Sequence, residues 1–125
     1  MEKIQMAKWA NTSVLDALLD KVATGNQIIV TTSQPADRTA ALAASLASTT
    51  LIPGDFTKAA GSPSGRQVTV AQKANISVSA SGTATHVCIV DRTNLLYVTT
   101  VTSQALTSGN TVTIPAWKIT VTNPS

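Results

Sequence analysis

The chain has 125 residues, of which 43% are hydrophobic and only 12% charged, with a net charge of +3. That length suits one domain with a single modest core, and nine basic residues without a run leave no electrostatic footprint for nucleic acid. One His, one Cys and six acids are too sparse a supply for a convergent metal site, and no stretch approaches the roughly 18 apolar residues of a membrane span.

Hydroxyls take the place of charge. Thr and Ser number 20 and 12, and a threonine carries its methyl and hydroxyl on a β-branched stem that fits a pleated, half-buried surface. Aromatics are confined to Trp9, Phe56, Tyr97 and Trp117, so Val, Ile, Leu and Ala must fill the core. A core that thin favours added stability from oligomerisation or docking.

Residues 1–10 read as a flexible N-terminal arm and 11–125 as a single β-rich domain. The start lacks the apolar segment of a signal peptide, and Met6 offers an alternative initiation site. Apolar side chains at Val14, Leu15, Leu18, Leu19 and Val22 have the spacing of an amphipathic helix. Thr12 or Ser13 caps its start, Asp16 favours the positive end of the dipole, and Gly25 fits just past its end.

Next, Gln27–Thr32 is a β-branched run closed by the turn formers of Ser33–Asp37 and reads as a strand. Residues 38–47 are Ala-rich and predict a short second helix, against which the Ser and Thr content argues. From Pro53 onward, alternating runs at 66–72, 75–80, 83–90, 94–101, 111–114 and 117–122 are separated by turn residues, the pattern of a sandwich or barrel.

The same alternation names a core: Val68, Val70, Ile76, Val78, Val87, Ile89, Leu96, Val98, Val112, Ile114, Trp117, Ile119 and Val121. Asp91–Asn94 and Ser108–Asn110 read as hairpin turns whose flanking strands pair antiparallel. The expected fold is mainly β: an antiparallel sandwich or barrel-like domain with one N-terminal α-helix.

Reactive groups do not converge in this pattern. His86 and Cys88 share one strand face, but the apolar run His86–Val90 reads as a packed ring and a packed thiol. The lone Cys88 has no disulfide partner, which suits a reducing compartment. No serine lies in a Gly-x-Ser-x-Gly elbow, and Asp16 with Asp20 reads as solvated charge beside Lys21.

Gly61–Gly65 leads into a strand instead of a helix, so it is a loop and not a phosphate cradle. Arg66, at the strand entrance, is placed to clamp a carboxylate or carbonyl of its own chain. Trp9 beside Lys8 suits an anchor for the arm. Lys8, Trp9 and Arg66 are therefore the candidate interface residues, and no catalytic, cofactor or metal residues are expected.

Five stretches carry a likeness: Met6–Asn11, Gly54–Thr57, Ser64–Lys73, Ser81–Val87 and Gln104–Trp117. Together they make the chain resemble, from Met6 to Asn123, a family of small proteins encoded among the virion-structure genes of tailed bacteriophages. The resemblance implies a particle component, located in the virion and assembled in the host bacterial cytoplasm. Taken with the small size, the compact β domain and the absence of catalytic groups, it makes a capsid decoration or cement protein that docks on the major capsid protein or another virion protein the leading expectation. The thin core favours a homo-oligomer, and the composition and motifs lead to an expectation of no enzymatic activity, cofactor, nucleic-acid partner or membrane. The alternatives are a tail, neck or fibre component, and a receptor- or carbohydrate-binding module.

Overall fold

The structure, a computed structural model, describes residues 11–61 and 65–121. Helix α1 spans Thr12–Val22. Its cap is Asn11 instead of Thr12 or Ser13: the Asn11 carbonyl Oδ1 accepts the Ser13 N–H at 2.8 Å, which places the start one residue earlier than the sequence pattern predicts. Leu15 and Leu19 are buried and Val22 is half-buried, but Val14 and Leu18 remain 56% and 57% exposed. The predicted apolar stripe is thus sunk along one side only.

Gly25 does not end α1 as expected: Ala23 is the C-cap, Gly25 lies two residues beyond it without the positive φ of a helix-stopping glycine, and its lack of a side chain serves packing. A Cβ there would collide with Ile89 Cγ2 and press on the Val22 carbonyl, so the strand that carries Ile89 can lie close only because the side chain is missing. Among the described residues the nine strands, in chain order, are β1 Gln27–Thr31, β2 Ser45–Thr50, β3 Phe56–Ala60, β4 Arg66–Val70, β5 Lys73–Ser77, β6 Gly82–Val90, β7 Leu95–Leu106, β8 Thr111–Ile114 and β9 Trp117–Val121.

They form three antiparallel sheets, ordered β2-β1-β6-β7, β3-β4-β9 and β5-β8, and do not close into a barrel. The fold is mainly β with an N-terminal helix, as the alternation predicts. One face of the four-stranded sheet (Ile28, Val30, Ala47, Val87, Ile89) shares a single core with Val68, Val70 and Ile119 of the second sheet, Ile76 and Ile114 of the third, and Leu19 of α1. The opposite face carries Ile29 and Val90, which pack against Ala41 of a second helix, α2.

Helix α2 covers Arg38–Ala43 only, capped by Asp37 Oδ1 accepting the Ala40 N–H at 2.8 Å. The expected helix over 38–47 is therefore too long. From Ser45 the chain turns to strand β2 and pairs with β1, so long-range pairing overrides the helix preference of alanine. Strand β3 is likewise absent from the sequence reading, and β7 runs to Leu106 instead of ending at 101.

The two predicted turns part company. Asp91 Oδ1 accepts the N–H groups of Thr93 and Asn94 at 2.8 and 2.6 Å and closes a true β6–β7 hairpin. At Ser108–Asn110 the chain does turn, with Gly109 at φ +94°, but β8 leaves β7 and pairs with β5. Among the predicted core positions, Leu96, Val98, Val112, Trp117 and Val121 are only half-buried; the others are buried.

Candidate interaction surface

The side chains that could carry chemistry are built into the scaffold. Thr31 on β1 faces His86 and lies beside Cys88 on β6. Its hydroxyl donates to the Ser33 carbonyl at 2.8 Å and stands 3.8 Å from Cys88 Sγ. The His86 ring shares a 2.8 Å hydrogen bond with Thr85 Oγ1. Burial pushes the Cys88 thiol above its ordinary range, against a smaller opposing effect of Thr31. A thiol held neutral in this way is a poor nucleophile.

Acids and bases pair within the chain. Arg66 Nε donates to Asp16 Oδ1 at 2.8 Å, with both side chains about three-quarters covered, and so pins β4 to α1. Arg66 thus clamps a carboxylate of its own chain, as its position at the strand entrance predicts. Asp20 accepts from Lys58 Nζ at 2.6 Å, which raises the Lys58 ammonium pKa. The reading of Asp16 and Asp20 as solvated charges beside Lys21 holds for Asp20, whose side chain is 56% exposed, and is corrected for Asp16, which is largely covered and paired with Arg66; each bridges from α1 to the second sheet, while Lys21 lies 4.0 Å from Asp91.

Asp55 accepts from Lys73 Nζ and from the Ile52 N–H, each at 2.8 Å. Burial pushes its carboxyl up, but these bonds and the Lys73 charge together outweigh that and leave it below the usual carboxylate value. Asp91 is lowered first by the Thr93 and Asn94 N–H donors. Among the described residues, no group of three or more His, Cys, Asp or Glu could hold a metal ion, and no helix is long and apolar enough to cross a membrane.

Lys8 and Trp9 lie outside the described residues. A surface that the sequence reading does not single out is the free flank of the main sheet. Strand β7 is terminal in its sheet, and among the described residues nothing pairs with its outer edge. Its twelve residues include no charge, Gly or Pro. Where β6 and β7 run together, residues 101–103 bow out opposite Thr85 alone.

Beside this edge lies an apolar trough. Two hollows of about 280 and 220 Å³ share Val87, Val101, Ile114 and Pro115 and separate β7 from β8 and β9. Trp117 lines the first, its ring centroid 5.8 Å from that of Tyr97, and its indole Nε1 is buried with no acceptor among the described residues. No family model, curated protein or solved structure matches this chain. The available signal in the sequence was negative: the longest charge-free strand of a protein whose charges are few.

Proposed function

We propose that this chain is a structural subunit of a tailed-phage particle, a small hydroxyl-rich β scaffold that docks on protein neighbours, with decoration of the head shell as its leading assignment. The observation that carries the reading is the charge-free β7 flank with its apolar trough. Extended, uncharged backbone edges recognise other polypeptide chains by strand addition. Ion pairs from α1 to the second sheet, a buried thiol and a hydrogen-bonded His86 are parts of the scaffold, which supports a docking role for its surface. The particle setting itself comes from the resemblance between Met6 and Asn123.

Quantitative mass spectrometry and electron cryomicroscopy of purified particles test this. A copy number that follows the symmetry of the shell, with density on its outer surface, is expected. Copies in multiples of three, five, six or twelve on the tail would move the assignment to a tail, neck or fibre component. Absence from full particles would refute it.

A further inference from the structure

We propose that β7 is a homodimer edge: two copies pair their β7 strands antiparallel about a two-fold axis and extend the four-stranded sheet to eight strands. This rests on the reading of β7 as a docking edge and names a second copy of this chain as its occupant; which particle surface the pair then meets is decided separately, on purified particles.

The occupant is argued from the edge itself. An unpaired strand presents alternating N–H and C=O groups, and the group that satisfies such a row is another strand. Outside the ladder with β6, the carbonyls of Thr100 and Ala105 are reached only by the adjacent side chains of Thr99 (3.4 Å) and Gln104 (3.2 Å) among the described residues. Residues 101–103 have no paired residue on β6 at all.

Charge selects a second copy. A two-fold axis brings residues near the strand centre beside their own copies, so any charged residue there would meet its like. All fifteen charged residues of the chain, nine basic and six acidic, lie outside Leu95–Leu106. What the strand offers at its middle is Thr99, Thr100, Val101, Thr102 and Ser103, side chains that pair well with themselves across an antiparallel ladder.

A register centred on Thr100, which is exposed, pairs Leu95 of each copy with Ala105 of the other and so overlaps all of the strand but Leu106. Such a partner also covers Val101, now 38% exposed at the lip of the trough. Lys118 is the one charged residue lining that hollow; its long stem lets the ammonium reach water past an incoming strand.

Sedimentation velocity and light scattering on the full chain at high micromolar concentration are expected to give twice the monomer mass. Thr100→Lys alone and Thr100→Glu alone should each run as folded monomers in low salt, and an equimolar mixture of the two should restore a one-to-one dimer. Monomeric wild type, or a Thr100→Lys chain that dimerises as well as wild type, would overturn the proposal. Should either charged variant fail to fold, Thr100→Cys gives a separate answer. Thiols brought beside each other by the axis should oxidise to a symmetric disulfide while Cys88 stays buried; failure of Thr100→Cys to cross-link at high micromolar concentration would equally overturn it.

Discussion

The outer strands of the four-stranded sheet, β2 and β7, are alike in composition and opposite in surroundings. Ser45–Thr50 and Leu95–Leu106 are both charge-free and hydroxyl-bearing. Yet the outer side of β2 is occupied at Leu46 and Ala47: Ala47 forms a bridge with Val78, and the Ser79 and Ala80 N–H groups both point to the Leu46 carbonyl, at 2.8 and 3.4 Å. No described segment does this for β7. Composition therefore does not decide whether an edge is open; the path of the chain after β5 does. The lesson is that an edge without charges is protected by cover or else left for a partner.

Six substitutions, the last of them read in an acid titration, probe this contrast, beginning with the largest effect. Ile89, fully buried at the centre of the sheet, should cost about 3 to 4 kcal/mol as Ile89→Ala, whereas Val101→Ala on the open edge should cost less than about 1 kcal/mol. Equal costs in urea denaturation would show that β7 is as enclosed as the centre. Gly25→Ala should cost about 1 to 3 kcal/mol, because the new methyl meets Ile89 and the Val22 carbonyl in a packed site.

Ser79→Pro removes one of the N–H groups that cover β2 and should cost about 1 kcal/mol. It should also convert β2 into a second open edge, visible in sedimentation as species larger than those of the wild type. If the mass distribution is unchanged, cover is not what separates the two strands. Trp117→Phe should change stability by less than about 1 kcal/mol, since it keeps the packing on Tyr97 while deleting an indole N–H that has no acceptor among the described residues. A loss of several kcal/mol would mean that the N–H is bonded.

Acid should act least, and mainly on the β6–β7 turn and the Asp55 contacts. Asp55 and Asp91 both have folded-state pKa values below their ordinary ones. Their stabilisation is thus complete above the ordinary carboxylate pKa of about 4 and is lost as pH falls through the lower folded values. The urea midpoint should decline on acidification below about pH 4, with a shallower slope in Asp91→Asn.

The legibility of the fold follows the range of the interactions. α1, β1 and the β6–β7 hairpin are written locally, in the 3.6 spacing of Leu15, Leu19 and Val22, the β-branched Ile28–Val30 and the Asp91 turn. Strand β2 is hidden because its neighbours Ala40–Ala44 favour helix while its pairing partner lies about twenty residues upstream. The clamp of Arg66 was legible as a type of contact, but its partner Asp16 stands 50 residues away. The lack of charge in Leu95–Leu106 was in plain view, although only the strand order makes it an edge. Val14 and Leu18 followed the helical period into solvent because α1 docks on one side of its stripe.

Amide hydrogen exchange of both edge strands, followed residue by residue at low and at high protein concentration, addresses the central claim directly. The account predicts that protection within Leu95–Leu106 rises with concentration as copies pair, while protection within Ser45–Thr50 stays constant because β2 is already covered. Exchange in β7 that is independent of concentration would contradict it.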